Sequence, residues 1–215
     1  VLVASPPKPQ RTSPDPIVLH WLEQGTPEWL ARREGLYTGS GADKLLMFAG
    51  QLKVVRGVVS KYSIAEITGF GGNYHTKRGH LLEDKAIELY CLIRKCTVEF
   101  PGFVTNTKYP GCGYSPDGWM PERLLEVKCF ERKKHLDMYH GNIPFKVLAQ
   151  IHFGLFLTNR PECDLIIYNP EFAMKEIDGV PNPDYDPKLA FKIINIKRKG
   201  SICQNFRRVL KVATI

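Results

Sequence analysis

Apolar positions recur along this chain in blocks, some at helical spacing and others alternating as in strands. In KRGHLLEDKAIELYCLIR (77–94), Leu81, Leu82, Ala86, Leu89, Tyr90 and Ile93 fall at helical intervals, which predicts a helix. FKVLAQIHFGLFLT (145–158) has the same period, and GSICQNFRRVLKVA (200–213) combines it with basic residues on the opposite stripe. Between the first two blocks the pattern shortens. CTVEF, GFVTNT, the segment before Ser115 and RLLEVKCF read as strands separated by Pro and Gly turns. CDLIIYNP reads as a buried strand and AFKIINIKR as an alternating one. Two shorter helices are expected near the start. GTPEWLARREGL has Thr26 as N-cap and Pro27 at the first helical position. In TGSGADKLL, Ser40 can cap, with Asp43 three residues later. This order predicts an α/β fold, a central mixed sheet flanked by helices. Residues 1–16, rich in Pro and Ser, read as a flexible lead-in, and 17–215 as a single domain.

Composition narrows the classes. A hydrophobic content of 43% supplies a core without staples. The six cysteines form no C-x-x-C pair, which disfavours a zinc ribbon and suggests reduced thiols in an intracellular, non-secreted protein. No apolar run approaches the roughly 18 residues of a membrane span. VLVA is too short for a signal-peptide core, and the missing initiator Met suggests a trimmed N-terminus. The net charge is +8. From Pro187 onward there are eight Lys or Arg and no acidic residue, and the remainder balances at 22 basic against 22 acidic. The excess is therefore local, an anion-binding surface or a solvated helix face.

The candidate chemistry lies in GYSPDGWMPERLLEVKC (113–129). Side chains two apart in a strand share a face, so Glu126 and Lys128 point together and Val127 points away. Leu124 and Leu125 before them and Cys129 and Phe130 after suggest an interior strand, where unpaired charges are costly. Asp117, at the Pro-Gly turn, would stand at the mouth of the same hairpin. Asp117, Glu126 and the Val127 carbonyl make an oxygen-rich set suited to Mg²⁺ or Mn²⁺. Lys128 beside them could orient or activate a water. An ordinary surface Glu–Lys pair is the competing reading. His75, His80, His135, His140 and His152 show no metal-ligand spacing, and the run Glu131–Lys134 reads as a solvated loop.

SPDG…LLEVK resembles the core motif of the PD-(D/E)XK nucleases, whose core is restriction-endonuclease-like, with Pro116-Asp117 and Glu126-Val127-Lys128 as its halves. Other segments extend the likeness to the lambda-exonuclease-type, YqaJ-like viral recombinases. RGHLLE resembles their helix bearing an acidic residue that faces the metal, here Glu83. WLARREGLYTGSGADKLL resembles their N-terminal signature, in which an arginine and a serine, here Arg33 and Ser40, hold the terminal 5′-phosphate. Ser115 matches a second phosphate-binding serine. Gln150 matches a glutamine whose partners are a nucleotide or the catalytic lysine, although the tyrosine that accompanies it in related RecB-like nucleases is absent. The likeness runs from about Trp29 to Pro170, and within it Trp119 reads as core, or else as lying near the DNA end.

The resemblance implies a Mg²⁺-dependent 5′→3′ exonuclease on double-stranded DNA ends, with Mn²⁺ able to substitute. It also implies a homotrimer and a single-strand annealing partner, which no spacing here indicates. The alternatives are a structure- or site-specific endonuclease of the same superfamily and a non-catalytic nucleic-acid-binding module.

Overall fold

The computed structural model describes residues 16–51 and 74–213. The expected lead-in, apart from Pro16, and the side chains of His75 and His80 lie outside the described residues. The elements in chain order are β1 (Ile17–His20), α1 (Pro27–Arg33), β2 (Tyr37–Thr38), a 3-10 turn (Gly39–Gly41), α2 (Ala42–Gln51) and α3 (Tyr74–Arg94). There follow β3 (Phe103–Asn106), β4 (Cys112–Tyr114), β5 (Gly118–Trp119), β6 (Arg123–Lys128), α4 (Arg132–Tyr139), α5 (Phe145–Thr158) and β7 (Glu162–Tyr168). The chain closes with a small ribbon of β8 (Glu176–Ile177) and β9 (Val180–Pro181), then β10 (Phe191–Lys197) and α6 (Gly200–Ala213).

The strands form two four-stranded mixed sheets, ordered β1-β3-β4-β2 and β10-β7-β6-β5. In the second, β6 runs parallel to β7, while β5 and β10 are antiparallel to their neighbours. Every residue of β7 is buried, as expected of a strand covered by helices on both faces, and its two acidic residues, Glu162 and Asp164, are ion-paired with Arg123. One face carries Leu124, Cys163, Leu165 and Ile167 against α5; the other carries Leu125, Val127, Ile166 and Tyr168 against α3. The α/β class with mixed sheets and flanking helices agrees with expectation, although the strands divide between two sheets. Residues 115–117 are the corner where the chain leaves the first sheet at β4 and enters the second at β5.

Local signals explain several elements. Trp29 N–H bonds to the Thr26 hydroxyl, and Pro27 opens α1, as a cap followed by proline should. Helix α5 ends at Asn159, a left-handed residue (φ 55°). Three elements differ from expectation. In α3 the buried stripe is Ala86, Ile87 and Tyr90, while Leu81 and Ile93 are 76% and 57% exposed. Apolar residues surround this helix, and periodicity alone does not say which stripe meets the sheet. Of CTVEF, Glu99 pairs alone, through an isolated bridge to Trp119. The run Glu131–Lys134 is not a loop: it starts α4, which buries His135 and Met138.

Candidate active site

The corner between the sheets sets the first carboxylate. Asp117 immediately precedes β5, whose Gly118 pairs with Leu125 and Trp119 with Leu124. It thus lies at the open end of the β5–β6 hairpin, where its Oδ2 accepts the backbone N–H of Val127 at 2.7 Å. The N–H and C=O of a strand residue leave on the same side, so the Val127 carbonyl points toward that same edge, beyond the end of β5. Trp119, the other residue of β5, is buried, with the Arg160 guanidinium 4.3 Å from its ring centroid.

Glu126 is wholly buried, on the α5 side of β6 with Leu124. Its Oε1 is ion-paired with the Lys128 ammonium, and its Oε2 accepts the Tyr114 hydroxyl at 2.8 Å. Burial works against the charged Lys128, but Glu126, Asp117 and Glu83 outweigh it and hold the ammonium above its ordinary range. Tyr114 is driven well above the usual phenol value by burial and by Glu126, so its hydroxyl keeps its proton and donates.

Glu83 stands one helical turn before Ala86 and Ile87, at the head of the buried stripe of α3. Burial lifts its carboxyl to about 7, with Glu126 and Asp84 pushing the same way and Lys128 opposing. Asp117 is raised well above the usual carboxylate range by burial and by Glu126 and Glu83. Three carboxylates thus share one electrostatic environment with one ammonium. Their hard oxygens and excess negative charge fit a divalent cation. Among the described residues, though, no three His, Cys, Asp or Glu side chains stand at metal-holding separation. Asp117 turns one oxygen to Val127, Glu126 is engaged by Tyr114 and Lys128, and Glu83 comes from the helix packed on the other face of β6.

The anion-binding candidates gather on the other side of the corner. Arg33, at the end of α1, donates to the Ser115 hydroxyl at 2.7 Å, and its guanidinium lies 4.0 Å from the Trp29 ring centroid. Trp29 is itself fixed by a 2.8 Å hydrogen bond from its indole N–H to the Gly102 carbonyl. Burial lowers Arg33 to about 10, which leaves it charged at neutral pH. Ser40 does not act as the expected cap. It is exposed in the 3-10 turn before α2, its hydroxyl 3.0 Å from that of Thr38, while one buried Asp43 oxygen has no hydrogen-bond partner among the described residues. Gln150 packs over this turn: a Cβ placed on Gly39 would lie 3.3 Å from its Cγ. No hydrogen bond joins Gln150 to Lys128 among the described residues. The structure therefore brings Asp117, Glu126, Val127 and Lys128 together, and Arg33 with Ser115, while Ser40 and Gln150 meet through the Gly39 turn. Sequence reasoning missed Tyr114; its aromatic ring beside the Ser-Pro-Asp corner was the available signal.

A family model for the YqaJ-like viral recombinase domain matches residues 28–161, well over half of the chain. The chain belongs to that family. Among curated protein sequences none matches. Among solved structures, this YqaJ-like chain is similar to the alkaline exonuclease LHK-Exo of Laribacter hongkongensis. The likeness has a TM-score of 0.64 at 20% identity, covering 87% of this chain and 90% of that one. The structure of LHK-Exo in complex with dAMP gives 0.65 at 21% identity with the same coverage. At that identity the likeness shows a shared fold. Among the described residues, no helix of this family member is long and apolar enough to cross a membrane.

Proposed function

We propose that this protein is a Mg²⁺-dependent exodeoxyribonuclease that degrades double-stranded DNA from its 5′ ends and leaves 3′ single-stranded overhangs. Membership of the YqaJ-like family supports a nuclease, a hydrolase acting on DNA, and the fold is one shared with an alkaline exonuclease. The observation that carries the finer reading is the contact between Asp117 and the backbone of Val127. It holds one carboxylate against the strand that presents Glu126 and Lys128.

Asp117, Glu126 and the Val127 carbonyl would hold Mg²⁺ or Mn²⁺, with Glu83 reaching the ion directly or through water. A bound cation would supply Lewis-acid stabilisation of the charge that develops as the phosphodiester is cleaved. The residues supply the rest. Lys128, kept protonated by the surrounding carboxylates, orients the attacking water and donates to a phosphoryl oxygen. Arg33 and Ser115, already joined, offer a guanidinium and a hydroxyl to a terminal 5′-phosphate. Ser40 adds a second hydroxyl from an exposed turn, and Gln150 steadies that turn.

Helix α6 exposes Arg207, Arg208 and Lys211 and buries Cys203, Phe206, Val209 and Leu210. Phe206 meets the Phe153 ring edge-on and the Phe156 ring at a tilt, both on α5, whereas Gln150 and Gly154 face the Gly39 turn and Tyr114 from another side of that helix. The basic helix would grip the duplex backbone away from the cleaved end, without regard to sequence. A homotrimer and a single-strand annealing partner belong to the same proposal.

Digestion of an end-labelled linear duplex with Mg²⁺ tests it, with covalently closed circular DNA as control. The expected result is loss of the 5′-terminal nucleotides from linear duplex and an intact circle. Cleavage of the circle would replace this reading with an endonuclease. A wild-type preference for 5′-phosphoryl over 5′-hydroxyl ends, abolished by Arg33→Ala, tests the phosphate site.

A further inference from the structure

Tyr114 has no part in the chemistry described above, yet it is 1% exposed and directed at its centre. Its hydroxyl donates to Glu126 Oε2 at 2.8 Å, while Lys128 holds the other oxygen. A buried carboxylate gripped at both oxygens by separate donors has one orientation. Without the tyrosine, the restraint left among the described residues is Lys128, on the same strand and 18% exposed.

The ring reaches this position because glycine flanks it on two sides. A Cβ on Gly154 of α5 would stand 2.6 Å from Tyr114 Cζ, the carbon that bears the hydroxyl, so any larger residue would displace the ring. A Cβ on Gly39 would stand 3.0 Å from Cδ2 and Cε2. Gly39 adjoins Ser40, and Ser115, the next residue after Tyr114, accepts from Arg33. The ring is thus the filling between the helix α5, the anion-side turn and the catalytic strand.

We infer that Tyr114 is the positioning residue that presets Glu126 for the divalent cation, its ring clamped between Gly39 and Gly154 and its hydroxyl on Oε2. The inference rests on the proposed metal site and deepens it. A donor that orients a metal-binding carboxylate in this way typically changes metal affinity or activity by about 10- to 100-fold when removed.

The test is Mn²⁺ binding to the full chain, read from the free-ion signal in electron paramagnetic resonance, with Mn²⁺-dependent digestion of linear duplex alongside. Tyr114→Phe keeps the ring and removes the hydroxyl. The expected result is an Mn²⁺ Kd weakened about 10-fold, unchanged circular dichroism, and a digestion rate that recovers at higher Mn²⁺. Gly154→Ala, which displaces the ring, is expected to weaken Mn²⁺ in the same direction. In a Glu126→Gln background, Tyr114→Phe is expected to have no further effect on the Kd. Equal Mn²⁺ affinity of wild type and Tyr114→Phe overturns the inference and leaves the nuclease reading standing. An undiminished Tyr114→Phe effect in the Glu126→Gln background overturns it too, because the hydroxyl would then act through packing. Failure of the wild type to bind Mn²⁺ overturns the metal-site reading itself, and this inference with it.

Discussion

Asp117 Oδ2 accepts the backbone N–H of Val127 at 2.7 Å, so a side chain from the corner between two sheets reads the backbone of the strand carrying Glu126 and Lys128. Asparagine can keep this bond through its own oxygen but removes a negative charge from a crowded site. Asp117→Asn is expected to lower digestion of linear duplex by at least about 100-fold, the scale of losing a group that acts on transition-state charge. Its metal-free melting temperature should be equal or higher, since burial and Glu126 both disfavour the native carboxylate. Differential scanning fluorimetry in EDTA checks this, and a large drop in melting temperature would contradict it.

Lys128 is the cation paired with the buried Glu126. Lys128→Met keeps the length of the stem and removes the charge, which leaves a carboxylate in the core without its counter-ion. The expected cost is about 3 kcal/mol of stability, together with loss of nuclease activity. Urea unfolding measures the first and the end-labelled duplex assay the second. Activity equal to wild type would remove lysine from the chemistry.

Glu83 gives a pH dependence with a definite sign. Its carboxyl sits at about 7 in the folded, metal-free protein, above its ordinary value near 4.3 in an unfolded chain. Between these values the folded state binds the extra proton, so this group's contribution to stability falls as pH rises through the window. In EDTA, the melting temperature of wild type minus that of Glu83→Gln should decrease from pH 5 to pH 8. Because a metal ligand must be deprotonated, Mn²⁺ affinity should rise over the same range. A flat difference curve would refute the assignment.

Asp164 is a control of the opposite sign, away from the candidate site. It is fully buried and accepts from Tyr90 at 2.7 Å, Arg123 at 2.8 Å and Asn195 at 2.7 Å. Burial alone would raise its carboxyl, but the bonds from Asn195, Tyr90 and Arg123 outweigh that and hold it below the usual value. Its contribution is therefore complete above about pH 4 and is lost as acid reaches the folded value. Asp164→Ala is expected to cost about 3 kcal/mol in urea unfolding at pH 7, with digestion at 25 °C within about two-fold of wild type.

The chain's local periods determined much of this protein. The patterns at 145–158 and 200–213 coincide with α5 and α6, Thr26 and Pro27 open α1 as expected, and the period of two in LLEVK placed Glu126 and Lys128 on one face. Each of these depends only on residues a few positions apart, so sequence suffices. The family likeness followed from the same short motifs. Tertiary structure decided what depends on the path of the chain. It selected the stripe of α3 that is buried, leaving Leu81 in solvent and turning Glu83 inward. It left Ser40 in an exposed turn bonded to Thr38 instead of capping a helix. It carried Arg33 across 82 residues to Ser115, and passed the Tyr114 ring between Gly39 and Gly154 to reach Glu126. A periodicity states which residues share a face but not what that face meets. The meeting is fixed by packing between distant segments, and there the candidate site takes its shape.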